Sequence, residues 1–308
     1  MAQSTASWRI GTRGSPLALV QARTVRSRLA AAIGADEEAI ELVVIRTTGD
    51  IIQDRPLAEE GGKGLFTKEI EEALLDGRVD LAVHSAKDMP TILPEGLILA
   101  ACLEREDPRD VFISRKASAL TKLSQGARLG TGSLRRQAIA MRARPDLQVI
   151  PLRGNVETRL RKLEAGEVDA TLLALAGLKR LDLDKHATHI MSADEFLPAV
   201  GQGAIGIEVR ASDQRVRDSL ARIDHAETSI AVACERAFLA ALDGSCKTPI
   251  AGHATVSGDA VHFHGLIARP DGSAAHDIAG TGRRKDAVAI GSDSGRELKH
   301  RAGPGFFD

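Results

Sequence analysis

Read as hydrophobic and polar positions, the chain alternates short apolar runs with stretches in which apolar residues recur every three or four positions. The runs over 8–11, 42–46, 79–84, 97–102, 110–114, 128–131, 148–152, 170–173 and 204–209 predict β-strands. Helical spacing over 17–29, 69–75 and 156–163 predicts helices between several of them. Strand–helix alternation of this kind predicts doubly wound α/β domains.

A weak internal repeat supports two of them. Ile10-Gly11-Thr12-Arg13-Gly14-Ser15 resembles Leu129-Gly130-Thr131-Gly132-Ser133, each a strand that turns at glycine and enters a helix. Further on, Asp76-Gly77-Arg78-Val79-Asp80-Leu81 resembles Ala165-Gly166-Glu167-Val168-Asp169-Ala170, each with a helix-stopping glycine before a strand. Either pair alone is within reach of chance. Two pairs in the same order predict two similar domains, starting near residues 8 and 105.

The first unit carries an extra segment, 47–66, with Gly49, Asp50, Pro56, Gly61, Gly62 and Gly64 and no periodicity. Such a segment is either a lid over a site or a stretch without fixed structure. From about residue 226 the pattern changes to one helix, a Gly-rich loop and an alternating run over 254–267, which predicts a smaller α+β domain.

Composition narrows the classes. At 308 residues the chain exceeds one ordinary core. The 41 basic and 42 acidic residues nearly cancel, so affinity for an anion must come from local clustering. Aromatics at 3% and no Tyr argue against a single-strand nucleic-acid platform, which needs stacking surfaces. The apolar runs are too short to span a bilayer. Residues 1–9 have no apolar h-region or small-residue cleavage site, so no signal peptide is expected. The 3 cysteines lack C-x-x-C spacing, so neither a disulfide framework nor a metal site is expected, and a cytoplasmic location fits.

Three strand-to-helix turns carry cations. Ser15 can cap a helix beginning at Pro16 with Arg13 beside it; Ser133 can cap one opening with Arg135 and Arg136; Asn155 can cap one preceded by Arg153 and containing Arg159. A cation near a positive helix N-terminus is unfavourable unless an anion arrives. One such turn reads most simply as solvated arginines, whereas three favour sites for carboxylate or phosphate. The P-loop pattern is absent.

His84-Ser85-Ala86-Lys87-Asp88-Met89-Pro90 follows an apolar strand, where α/β proteins place ligands. Lys87 and Asp88 read either as a surface pair or as a fixed carboxylate with a cation beside it, able to stabilise developing positive charge. His84 reads either as a base or as a packed strand residue. Cys102 and Cys234 read as core. Cys246, in Gly244-Ser245-Cys246-Lys247-Thr248-Pro249, reads either as an incidental loop cysteine or as a nucleophile whose ionisation Lys247 assists.

In this order, the stretches 10–18, 84–91, 130–137, 152–159, 199–204 and the loop around Cys246 resemble porphobilinogen deaminases over residues 8 to about 270. The resemblance implies α/β architecture: two periplasmic-binding-protein-like doubly wound domains flanking an active-site cleft, plus a smaller C-terminal α+β domain. The implied boundaries are 1–104 with 204–222, 105–203 and 223–308. It implies a dipyrromethane cofactor held by a thioether to Cys246, with Lys87, Arg135, Arg136, Ser133 and Thr131 around it. Arg13, Ser15, Arg153, Arg159 and Gln202 are the implied substrate-binding residues, with Lys63 and Phe66 on the active-site loop. Asp88 is the implied catalytic residue, holding pyrrole N–H groups and stabilising the cation formed as ammonia leaves. Four porphobilinogen molecules would then be joined in turn and released as hydroxymethylbilane, by a monomer. Gly132, Ala86, Ser245, Lys247 and Thr248 depart from common family residues. The rival reading is a non-catalytic two-domain anion-binding receptor, which explains the arginine turns but not Cys246.

Overall fold

The computed structural model describes residues 8–51, 66–244 and 248–307, so Lys63 and Cys246 lie outside the described residues. The elements run β1 (Trp8–Thr12), α1 (Pro16–Ile33), β2 (Ile40–Val44), α2 (Thr48–Ile51), α3 (Lys68–Leu75), β3 (Leu81–Ser85) and β4 (Leu97–Cys102). Next come β5 (Asp110–Ser114), β6 (Arg128–Gly130), α4 (Leu134–Ala143), β7 (Gln148–Ile150), α5 (Val156–Glu164), β8 (Ala170–Ala174), α6 (Leu175–Arg180) and β9 (His189–Ile190). The chain ends with β10 (Ile205–Arg210), α7 (Gln214–Leu220), α8 (Ala226–Ala241), β11 (Ile250–Ser257), β12 (Ala260–Ala268), β13 (Ala275–Arg283) and α9 (Ala287–Ala302). Residues 1–105 with 204–229 form one compact unit, and 106–203 with 230–308 the other.

In the first unit the sheet order is β2-β1-β3-β10-β4, with β1 parallel to β2 and β3, and β10 antiparallel to both its neighbours. Side chains alternate along a strand, so β3 feeds two cores. Leu81 and Val83 pack with Ala22, Val25 and Leu29 of α1, whereas Ala82 packs with Ile70, Ala73 and Leu74 of α3. α1 outruns its expected span because nothing before Gly34 stops it. That glycine, at φ 70°, takes the left-handed cap that L side chains resist.

The second unit repeats the plan, in the order β7-β6-β8-β5-β9, with β6 parallel to β7 and β8 and β5 antiparallel to both neighbours. The sequence repeat has a physical basis in both units. Asp80 accepts from Arg9 N at 2.8 Å, and Arg9 Nη2 donates to Gly77 O at 2.8 Å. Correspondingly, Asp169 accepts from Arg128 N at 2.7 Å, and Arg128 Nη2 donates to Gly166 O at 2.9 Å. A Cβ on Gly11 would come within 3.1 Å of Val79, and one on Gly130 within 3.0 Å of Val168. Each glycine therefore lets its strand close onto the valine of the second motif.

The second unit also holds the antiparallel sheet β11-β12-β13, covered by α9 around Phe238, Val261, Phe263 and Leu298. Here the structure corrects the expected run over 254–267. It is two strands, because Gly258 at φ 58° and Asp259 make a two-residue hairpin between Ser257 and Ala260. Strand β9 was not expected; it is a two-residue edge strand, too short for a pattern. The extra segment begins with the short helix α2, whose Thr48 N donates to Glu69 Oε1 at 2.9 Å.

Candidate functional site

In the first unit, the turn from β1 to α1 and the turn after β3 stand side by side because their strands are paired. Ser15 caps α1 by accepting from Ala18 N at 3.3 Å, with Pro16 at the first helical position. The turn Ala86–Asp88 continues β3, pinned where Ala86 N donates to Ala204 O at 3.0 Å and where Gln21 Nε2 reaches Ser85 Oγ at 2.9 Å. Arg13, Ser15, Gln21, Phe66, Thr67, His84, Ser85 and Asp88 together line one concavity. The Arg13 guanidinium lies 4.2 Å from the centre of the Phe66 ring. Asp88 is exposed and Lys87 half-buried. The concavity thus presents a carboxylate to solvent within a frame supplied by cations and hydroxyls.

Its wall is unusual. His84 is 5% exposed, and its Nε2 lies 3.1 Å from Oε2 of Glu208, a fully buried residue of β10. Neither carboxylate oxygen of Glu208 has a hydrogen-bond partner. Glu71 of α3 is also buried, and its pKa is raised. Desolvation is the main cause; the charges of Glu208 and Glu69 add to it, whereas the Thr67 hydroxyl and His84 oppose it.

In the second unit Arg135, Arg136 and Gln202 gather around Asp110, and Thr131 and Ser133 form the turn that leads into the two arginines. Ser133 caps α4 by accepting from Arg136 N at 3.4 Å, while its own N donates to Thr131 Oγ1 at 3.1 Å. Arg135 and Arg136 are buried rather than displayed. Arg135 Nη2 and Arg136 Nη2 each lie 2.7 Å from an Asp110 carboxylate oxygen, and Arg136 Nη1 donates to Leu172 O at 2.9 Å. Burial alone would raise the Asp110 pKa, but Arg135 and then Arg136 outweigh it and hold the carboxyl at about 2. Two guanidinium groups share one carboxylate, so the cluster keeps a surplus positive charge. Arg135 Nε is buried without a partner.

Gln202 is fully buried, and its amide nitrogen donates to Pro108 O at 2.7 Å and Asp110 Oδ1 at 3.1 Å. Gln202, expected from sequence to bind substrate, supports the Asp110 cluster through its amide nitrogen. The third turn lies beside the second, since Thr131 N donates to Ile150 O at 3.0 Å and a Cβ on Gly132 would stand 3.4 Å from Leu152 O. There Asn155 caps α5 through Thr158 N at 2.8 Å. Arg153 and Arg159 are half-buried, and Arg159 Nε donates to Gly154 O at 2.9 Å.

The surplus charge and the orphaned Arg135 Nε fit a group bearing carboxylates, as dipyrromethane does. Among the described residues no cluster of His, Cys, Asp or Glu could hold a metal ion. No described helix is long and apolar enough to cross a membrane. Sequence reasoning missed Asp110, Gln21, Glu71 and Glu208. Glu208 had left a trace, as a charge inside an apolar strand.

Comparison with known proteins adds independent findings. The family model described as porphobilinogen deaminase, dipyromethane cofactor binding domain, matches residues 8–218, and that of the porphobilinogen deaminase C-terminal domain matches 229–300. A porphobilinogen deaminase of Nitrobacter hamburgensis is 60% identical over 298 residues, covering 97% of this chain and 94% of that protein. One from Nitrobacter winogradskyi is 59% identical over 298 residues, with coverage of 97% and 94%. Among solved structures, a periplasmic substrate-binding protein of an ABC transporter from Coxiella burnetii aligns with TM-score 0.42 and 16% identity over 70% of this chain and 91% of that one.

Proposed function

The chain belongs to the porphobilinogen deaminase family, and from that premise we propose how its residues divide the work. It is an enzyme of tetrapyrrole biosynthesis that joins four porphobilinogen molecules head to tail, loses ammonia at each addition and frees hydroxymethylbilane by hydrolysis. When bound, its dipyrromethane cofactor supplies the nucleophilic ring carbon to which each new ring is joined.

Asp88 accepts hydrogen bonds from pyrrole N–H groups and stabilises the positive charge that develops on the substrate as ammonia departs. Arg13, Ser15, Arg153 and Arg159 bind substrate carboxylates, with Phe66 and Lys63 on the loop over the site. Lys87, Thr131, Ser133, Arg135 and Arg136 hold the carboxylates of the cofactor, and Gln202 steadies Asp110 beneath the two arginines. Cys246 is the attachment point through a thioether. Supporting this, the other two cysteines are buried, and burial followed by the charge of Glu235 pushes the Cys234 thiol up to about 12.

The working segments are 1–104 with 204–222 for the Asp88 pocket, 105–203 for the arginine cluster, and 223–308 for cofactor attachment. The enzyme is a cytoplasmic monomer. A receptor without catalysis would need the same cations, but not 60% identity to a deaminase along nearly the whole chain.

The observation that carries the assignment of roles is Asp88, exposed in a concavity shared with Arg13 and Ser15. Asp88→Asn keeps the covalent cofactor and loses turnover by on the order of 10²–10⁴-fold. Near-normal product formation by the cofactor-loaded variant would refute the role.

A further inference from the structure

Three titratable side chains lie buried behind the Asp88 pocket: Glu71 of α3, His84 of β3 and Glu208 of β10. His84 is the member that lines the concavity, four residues before Asp88. With both carboxylates ionised and the imidazole neutral, the cluster would hold two uncompensated negative charges away from water, which is costly. Few hydrogen bonds relieve it, since His84 Nε2, Glu71 Oε1 and both oxygens of Glu208 lack partners.

We propose that Glu71, His84 and Glu208 form a buried positioning triad that clamps α3 and β10 onto the end of β3 and so fixes the turn bearing Asp88. The inference rests on the assignment of Asp88 given above. Its geometry is specific: β10 pairs with β3 so that Gly206 opposes His84 and Glu208 opposes Ala82, and α3 packs across both strands. The charged groups beside the triad are Glu69 on α3, which acts on Glu71, and Arg13 and Asp88, which line the concavity with His84. A carboxyl whose pKa is raised in the fold, as that of Glu71 is, costs nothing extra below the ordinary carboxylate range. The penalty grows as pH climbs through the raised value. Deprotonation therefore sets Glu71 against Glu208, and the clamp loosens as the pH rises.

The test is the pH profile of kcat for cofactor-loaded enzyme with porphobilinogen, for wild type, Glu71→Gln and Glu208→Gln. Glu71→Gln imitates the protonated carboxyl, so it should carry activity to higher pH than wild type. Glu208→Gln removes the charge beside the His84 ring, so it should lower kcat about tenfold with KM changed less than about twofold. Should Glu208→Gln fail to fold, the Glu71→Gln profile decides alone. An alkaline limb in Glu71→Gln that coincides with wild type would overturn the triad. Asp88→Asn, run alongside, separates the two ideas. If it is inactive while Glu71→Gln follows the wild-type profile, only the triad falls. If it is active, the assignment of Asp88 falls and takes the triad with it.

Discussion

Replacing Asp110 by Asn tests whether the buried arginine pair is organised as described. The carboxyl is held at about 2 instead of its ordinary 3.8, a displacement worth roughly 2–3 kcal/mol in favour of the ionised fold. Removing the charge does more than forfeit that amount. It leaves Arg135 and Arg136, 4% and 5% exposed, without a counter-ion. Breaking a buried pair in this way costs about 3–5 kcal/mol. Because the pKa is depressed in the fold, the stabilisation is complete above 3.8 and disappears as pH falls through about 2. The assay is urea unfolding of the apoprotein, wild type and Asp110→Asn, from pH 7 down to the acid limit of the folded state. The gap in stability should be constant near neutral pH and narrow once the pH drops below 3.8. A gap under about 1 kcal/mol at pH 7, the range of an exposed pair, would refute the buried-cluster account.

Two further outcomes follow from the same geometry. Gly130→Ala drives a methyl to 2.8 Å from Leu152 Cδ2 and 3.0 Å from Val168, so chemical denaturation should show a loss of about 1–3 kcal/mol from overpacking. Arg135→Ala and Arg153→Ala should each impair cofactor assembly or chain elongation, read as a shift in the enzyme-bound intermediates resolved by native electrophoresis; normal elongation in both would count against a carboxylate track.

Much of the fold was legible because its signals are local. Ser15, Ser133 and Asn155 were read as caps from residue type and position, and each side chain accepts the hydrogen bond a cap makes. The repeated glycine and aspartate motifs were visible in sequence, and each pair meets within its own unit. Cys102 and Cys234 lie buried, as their apolar neighbours implied.

The misses share a different cause, in partners far apart along the chain. The arginine pair was legible as charge at a helix start, but not its counter-ion: Asp110, from a strand well upstream, meets both guanidinium groups. Nothing near Arg135 announces it. The burial of Gln202 against Asp110 was hidden for the same reason, its motif giving type and order but not partners. His84 left two readings open, and only the pairing of β3 with β10 brings Glu208 to it. The hairpin at Gly258 and Asp259 leaves only one mark in the pattern, a switch of the buried positions from even numbers in β11 to odd numbers in β12.

The central claim is that this chain carries dipyrromethane on Cys246 and extends it with porphobilinogen. The most direct measurement is the intact mass of the protein under denaturing conditions, before and after incubation with porphobilinogen, beside Cys246→Ser. The account predicts an added mass of two linked pyrrole units on wild type, appearing at the latest after incubation, and none on the variant. Wild-type protein that stays at bare-chain mass after incubation, or a variant that gains the same adduct, would contradict it.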